Sequence, residues 1–296
     1  MHKRFLAIPI LIFFLGSGYA AIARGGDMGM KVQITPDKVE QGGVALIKIS
    51  AACSLRSVQG DCNGESLLFF PDGRGSFASI IGIDLEQESG VRSLRIRGKT
   101  AGGKIIERSL SFRVLKKDFP VQRLTLPKGM VELNPKDLAR VKREHATLMK
   151  VFNASPTKRQ WKSGFEAPLH EPVISAFGLR RILNGEPRSP HTGVDLHAFM
   201  GEPVRASAAG TVVYTANQFF SGHSVFIDHG MGIVTMYFHL SKIEVKEGER
   251  VLQGQEIGKA GDTGRATGPH LHWGIRIRGS RVDPMALLAL FKPRTE

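Results

Sequence analysis

Beyond its first two dozen residues, this chain carries its apolar residues in short runs broken by turn residues, and that punctuation restricts the fold to sheets. Val32-Gln33-Ile34, Ala45-Leu46-Ile47-Lys48-Ile49, Ser66-Leu67-Leu68-Phe69-Phe70 and Ser109-Leu110-Ser111-Phe112-Arg113-Val114 are separated by breakers such as Pro71-Asp72-Gly73 and Gly102-Gly103. Val91 to Arg97 alternates around Leu94 and Ile96, as a half-buried strand does. The pattern returns in Thr211-Val212-Val213-Tyr214, Ser224-Val225-Phe226-Ile227, Ile233-Val234-Thr235-Met236-Tyr237 and Ile275-Arg276-Ile277. An apolar content of 42% with 34 Gly and 15 Pro suits a turn-rich β protein and not a helical bundle. A chain of 296 residues holds two modest domains. The expected fold is mainly β. An immunoglobulin-like β-sandwich spans 32–115, a connector with one short helix spans 116–164, and an antiparallel β unit spans 165–293.

The start of the chain reads as an export signal. Met1-His2-Lys3-Arg4 is basic, Phe5 to Leu15 is apolar apart from Pro9, and Gly16-Ser17-Gly18-Tyr19-Ala20 supplies small residues before a cut. The apolar run of 11 residues is shorter than a membrane span of about 20. Residues 1–20 are therefore expected to be a signal peptide cut after Ala20, with Ala23 as the second candidate, and the mature chain to be periplasmic or extracellular. In that oxidising setting Cys53 and Cys62, the two cysteines of the chain, are expected to form a hairpin disulfide.

The formal net charge of +14 favours anionic partners. Export removes nucleic acid from that set and leaves anionic lipid or cell-wall polymer. Most of the excess lies in residues 116–164, where 12 Lys or Arg face 4 acids. Asn134-Pro135 offers an N-cap and a first-turn proline. Leu138, Val141, His145, Leu148 and Phe152 then follow on one helical face, a stripe that packs on its own protein or lies on an anionic surface.

Chemistry concentrates between His191 and Trp273. His191-Thr192-Gly193-Val194-Asp195, Tyr237-Phe238-His239-Leu240 and Gly268-Pro269-His270-Leu271-His272-Trp273 bring together four histidines and a carboxylate, the nitrogen and oxygen donors that Zn²⁺ takes. In a strand His270 and His272 share one face while Leu271 takes the other, and His191 and Asp195 share a face in extended chain. A structural zinc site uses four ligands and closes, whereas a catalytic one uses three and keeps acid–base groups nearby. The surplus of candidates points to the catalytic kind.

From about Ser175 to Met285 the chain resembles the lysostaphin-like zinc metallopeptidases, which cut peptide bonds in peptidoglycan. The resemblance rests on Ser175-Ala176-Phe177-Gly178-Leu179-Arg180, the His191…Asp195 pair, Asp228-His229-Gly230, Tyr237-Phe238-His239-Leu240 and Thr267-Gly268-Pro269-His270-Leu271-His272, all in order. It implies a lysostaphin-like antiparallel β domain with His191, Asp195 and His272 as Zn²⁺ ligands and His239 and His270 as catalytic histidines. His270 would take the proton of the attacking water and pass it to the leaving amine, and His239 would donate to the developing oxyanion. Peptidoglycan stem peptides and cross-links are the implied substrate, with the D-alanine type of cross-link preferred. Some relatives lost these residues and activate other hydrolases; here all five positions are filled.

Two other functions stay open on the residues. One is a wall-binding or hydrolase-activating module that keeps zinc without turnover. The other is a carrier module, because Val245-Lys246-Glu247-Gly248-Glu249-Arg250-Val251 and Gly254-Gln255-Glu256-Ile257-Gly258 resemble the units of lipoyl- or biotin-carrier domains, with Lys259 as the nearest modifiable lysine. A carrier gives the histidines no role. His197, His223 and His229 are read as surface or supporting histidines, with His229 tying down a turn. Arg180 and Arg181 either hold a substrate carboxylate or are solvated loop charges.

Overall fold

The computed structural model describes residues 29–73, 75–125 and 133–291, so the expected signal peptide lies outside the described residues. The first unit contains β1 (Met30–Thr35), β2 (Lys38–Glu40), β3 (Val44–Ala51), β4 (Leu55–Cys62), β5 (Glu65–Ser66), β6 (Phe70–Pro71), β7 (Phe77–Gly82), β8 (Gly90–Thr100) and β9 (Ile105–Leu115). They form two sheets, ordered β1-β3-β7-β6 and β2-β9-β8-β4-β5. Alternation turns Ile47 and Ile49 of β3 and Leu94 and Ile96 of β8 inward, where they are buried in one apolar cluster between the sheets.

Two expectations change here. The run Ser66–Phe70 is not one strand, because β5 and β6 belong to different sheets and residues 67–69 carry the chain across. Cys53 and Cys62 are both free. Cys53 lies in the bend after β3 and Cys62 closes β4, so a whole strand separates them. At a rise of about 3.3 Å per residue that strand carries Cys62 roughly 20 Å away, whereas a disulfide spans Cα atoms about 6 Å apart. The sequence spacing suggested a turn between them; the residues between them extend instead.

The connector is built into the fold. β10 (Val121–Leu124) pairs in parallel with β12 (Arg180–Leu183). In α1 (Pro135–Asn153) the Asn134 side chain accepts from the Asp137 N–H at 2.9 Å, and Pro135 opens the first turn. Only the C-terminal end of the expected stripe packs: Phe152 is buried with Phe226, Val234 and Met236, and Leu148 lies against them. Leu138 and His145 are exposed. The middle of α1 is held by polar contacts instead. Arg140 Nη2 donates to the Asn217 carbonyl at 2.7 Å, and the Glu144 carboxylate accepts from the Phe219 N–H at 3.0 Å.

The second unit adds β11 (Val173–Ser175), β12, β13 (Glu186–Pro187), β14 (Gly193–His197), β15 (Pro203–Arg205), β16 (Gly210–Gln218), β17 (Gly222–Asp228), β18 (Ile233–Leu240), β19 (Lys242–Ile243), β20 (Arg250–Val251), β21 (Glu256–Lys259), β22 (His270–Ile277), β23 (Ser280–Val282) and α2 (Pro284–Phe291). Its main sheet runs β11-β14-β22-β18-β17-β16-β20, with antiparallel pairs and β23 beside β22. A small sheet, β15-β21-β19, holds Lys259 between Pro203 and Lys242. Lys259 is therefore inside a sheet and ion-paired with Glu256 at 2.7 Å, not presented at a hairpin tip as a carrier lysine must be.

One core runs through both units. Val44, Phe70, Ala78, Ile80 and Leu85 of the first are buried in the same cluster as Trp161, Phe165, Val194 and Trp273. Arg281 ties the units electrostatically, with Nη2 2.6 Å from Asp84 Oδ1 and 2.6 Å from Glu86 Oε2. Among the described residues no helix is long and apolar enough to cross a membrane.

Candidate functional site

Three neighbouring strands of the main sheet place the candidate residues. β14 and β22 pair with Asp195 opposite His272 and His197 opposite His270, and β18 and β22 pair with Phe238 opposite His272. Residues directly opposite share a face, so Asp195, His272 and Phe238 stand on one side of the sheet and the period of two adds His270. The Phe238 and His272 rings are stacked, 4° from parallel with centroids 5.2 Å apart.

His191 comes from the loop before β14 and not from the strand, so it reaches Asp195 by a different route from the extended-chain spacing. That loop is fixed by backbone bonds from His191 N to Leu179 O (3.0 Å) and from Gly178 N to His191 O (2.8 Å). His191 Nδ1 lies 2.9 Å from the Ala176 carbonyl. A carbonyl only accepts, so Nδ1 carries the proton and Nε2 of the neutral ring brings a lone pair inward.

His191 Nε2, Asp195 Oδ1 and His272 Nδ1 then form a triangle with edges of 3.0, 2.9 and 2.9 Å. Lone pairs converging this closely repel unless a proton or cation lies among them. Ligands on a zinc tetrahedron with bonds of 2.0–2.1 Å stand roughly 3.3 Å apart, so the triangle is close to the size Zn²⁺ requires. Two nitrogens and one carboxylate oxygen also match the donors of a catalytic zinc. Burial alone would raise the Asp195 carboxyl, but its contacts with His191 and His272 outweigh that and hold it well below the usual carboxylate range. Burial likewise pushes the His272 imidazole below its ordinary value, against the raising contact with Asp195. An ionised carboxylate and a neutral imidazole are the forms that bind metal.

His239 and His270 stand beside this triangle, their ring centroids 4.7 Å apart. His270 Nδ1 is 2.8 Å from the Gly268 carbonyl, and its Nε2 is 3.9 Å from Asp195 Oδ1. His239 Nδ1 is 2.8 Å from the Thr263 carbonyl. Both rings thus have the proton fixed on Nδ1 and leave Nε2 for chemistry. The β17–β18 register slips between His223 and Val225, giving an extra residue on β18 beside His239, whose φ is 61°. A bulge re-aims a side chain, and positive φ in a non-glycine residue is strain that clusters at working sites. Burial pushes the His239 pKa down to about 4, so the ring is neutral at pH 7.

The other histidines stand apart from the triangle. His229 is buried, bonded to the Ala209 carbonyl (2.9 Å) and Thr235 Oγ1 (2.8 Å), and braces the turn after β17. His197 faces Glu171 at 3.6 Å and stacks edge-on against Phe199. His223 keeps a buried Nδ1 with no hydrogen-bond partner among the described residues. Sequence reasoning missed the anchors: the carbonyls of Ala176, Thr263 and Gly268 have no side-chain signature. It also passed over the room that Gly193 leaves, although an isolated glycine in a strand is a sign of close approach. A Cβ on Gly193 would lie 2.6 Å from His272 Nε2.

A sequence model of peptidase family M23 matches residues 189–284. Peptidoglycan DD-endopeptidase ShyA of Vibrio cholerae is 40% identical over 140 residues, which are 47% of this chain and 30% of that protein. DD-carboxypeptidase/endopeptidase Mpg of Neisseria meningitidis is 41% identical over 130 residues, 43% of this chain and 30% of that protein. The chain thus spans less than a third of the length of these curated relatives. A crystal structure of a Pseudomonas aeruginosa protein assigned to peptidase M23 aligns at 31% identity with a TM-score of 0.64, covering 84% of this chain and 94% of that one.

Proposed function

The chain belongs to peptidase family M23, and from that premise we propose that it is a zinc-dependent endopeptidase that hydrolyses peptide cross-links of bacterial peptidoglycan. The observation that carries the reading is the triangle of His191, Asp195 and His272 beside two histidines that both keep Nε2 free. The two DD-named relatives support a cross-link of the D-alanine type.

His191, Asp195 and His272 would hold the metal. When bound, Zn²⁺ supplies a Lewis acid that brings water to ionise at about neutral pH and polarises the scissile carbonyl. His270, pinned through Nδ1, accepts the proton of the attacking water on Nε2 and delivers it to the leaving amine. His239 cannot donate to an oxyanion in its neutral form, because its one proton points at Thr263. A donor role toward the oxyanion would require the ring's proton on Nε2 instead of Nδ1; as held here, His239 presents Nε2 as an acceptor beside His270.

Metal content measured beside wall hydrolysis tests these roles. Replacing His191, Asp195 or His272 with Ala should lose both zinc and activity. His239→Ala and His270→Ala should keep zinc and lower turnover by about 10²–10⁴-fold. Loss of zinc in His270→Ala with retention in His272→Ala would reverse the assignment within that pair. Zinc retained in every variant with hydrolysis absent from the unsubstituted protein would favour a wall-binding or activating module instead.

The remaining parts of the reading support export to the periplasm or beyond. Residues 1–20 would be the signal, 32–115 an immunoglobulin-like domain, 116–164 the connector and 165–293 the peptidase domain. The immunoglobulin-like reading is supported by strand order: β1-β3-β7-β6 follows A-B-E-D, and β4, β8 and β9 follow C-F-G. The exposed Lys136, Lys142, Arg143 and Lys150 of α1 would face an anionic wall or membrane surface.

A further inference from the structure

Three arginines lie on the segments that flank the histidines and, among the described residues, none of them is ion-paired with an acid. β12 and β13 form a hairpin whose register pairs Ile182 with Pro187 and Leu183 with Glu186. The bond from Arg188 N to Arg181 O (2.9 Å) extends that ladder and sets Arg181 opposite Arg188. Like charges placed opposite each other across two strands destabilise the pair. Arg265 comes from the loop before β22, its N–H bonded to the Phe220 carbonyl at 2.8 Å and its guanidinium 4.2 Å from the Phe220 ring centre. Partial desolvation and then the positive charges of Arg181 and Arg188 push the Arg265 guanidinium below its ordinary value, which places all three in one field.

Their position flanks the site. Arg188 precedes His191 by three residues, and the hairpin's base is tied to His191 through Leu179 and Gly178. Arg265 follows Thr263, whose carbonyl fixes His239, and precedes His270. Some arginines of this chain are ion-paired, Arg95 with Asp61, Arg97 with Glu107 and Arg281 with Asp84, while others, such as Arg56 and Arg250, stand exposed outside the segments that flank the histidines. Among the described residues Arg181, Arg188 and Arg265 have no ion pair. The fold therefore keeps three mutually repelling charges, one of them held over the Phe220 ring, on the two segments that carry His191 and lead into His270.

We propose that Arg181, Arg188 and Arg265 form a carboxylate-binding subsite, so that the preferred substrate is a peptide with a free carboxylate beside the bond that is cut. The planar guanidinium fork matches a carboxylate in two parallel bonds, which a solvated ammonium does not. The proposal rests on the hydrolase reading for the identity of the peptide. The carboxylate is either that of a side chain near the scissile bond or that of the peptide's C-terminus.

The test uses the zinc-loaded full chain and three synthetic cross-linked peptide dimers. One has all carboxylates free, one has only its side-chain carboxylates amidated, and one has only its C-terminal carboxylate amidated. The unsubstituted protein should show KM about tenfold higher for whichever amidated peptide lacks the recognised group, with kcat little changed, and this identifies the source. Arg181→Gln, Arg188→Gln and Arg265→Gln should raise KM for the free-carboxylate dimer by about the same factor and leave the unrecognised form almost unaffected. Arg265→Lys should recover only part of the loss, because it restores charge without the fork. Equal KM for all three dimers, or Gln variants that lose all three alike, overturns the subsite. Failure of the hydrolase reading looks different: no dimer is cut, yet anisotropy of the labelled dimers still shows tighter binding of the carboxylate form.

Discussion

Gly193 decides whether His272 has room to sit where it does. A Cβ there would come within 2.6 Å of His272 Nε2 and 2.5 Å of the Trp273 carbonyl, and neither neighbour is a flexible side-chain tip. Gly193→Ala should therefore cost about 1–3 kcal/mol by overpacking and reduce zinc content, because the imidazole must turn away from Asp195. Thermal unfolding beside metal analysis checks this; an alanine variant with full zinc and unchanged stability would show that β14 moves aside freely. At this scale the sequence was informative where a side chain carries the signal. His270 and His272 at strand spacing already share a face with each other, and Asp195 was legible as their partner. The anchoring carbonyls of Ala176, Thr263 and Gly268 were not, since every residue has a carbonyl and only the fold aims it.

Among the elements, α1 shows how a pattern can be right about the helix and wrong about what holds it. Asn134-Pro135 marked its start, and Phe152 packs as the stripe required. Arg140 and Glu144, which lie outside that apolar stripe, grip the β16–β17 turn. The cysteines mislead for the opposite reason: their spacing suits a turn, but the residues between them form a strand. The charges left over on α1 are Lys136, Lys142, Arg143 and Lys150, all exposed. Changing these four to Gln should leave thermal stability unchanged and weaken co-sedimentation with peptidoglycan at low salt. The difference should fade at high salt, because exposed charges act over only about 10 Å at 0.1 M and 3 Å at 1 M. Binding that is equal at low salt would assign these lysines and Arg143 to solvent alone.

At the scale of the whole molecule, the two units unfold together if their shared core and the Arg281 pairing hold them. No local pattern could reveal a contact between residues as far apart in the chain as Asp84 and Arg281. Burial would raise the Asp84 carboxyl, but its bonds with Arg281 outweigh this and lower it. A lowered folded value adds stability above the unfolded carboxylate pKa of about 3.9 and loses it as pH falls through the folded value. Asp84→Asn should thus lose about 1.5–3 kcal/mol at neutral pH, with the gap to the unsubstituted protein closing as calorimetry is taken to more acidic pH. A gap independent of pH would assign the loss to packing. The most direct measurement on the function is mass analysis of purified peptidoglycan digested by the zinc-loaded full chain. Cross-linked dimers should be converted to monomers through cleavage of the bond at D-alanine, conversion should stop on chelation, and added zinc should restore it. Dimers that persist, or conversion that chelation leaves untouched, would contradict a zinc endopeptidase.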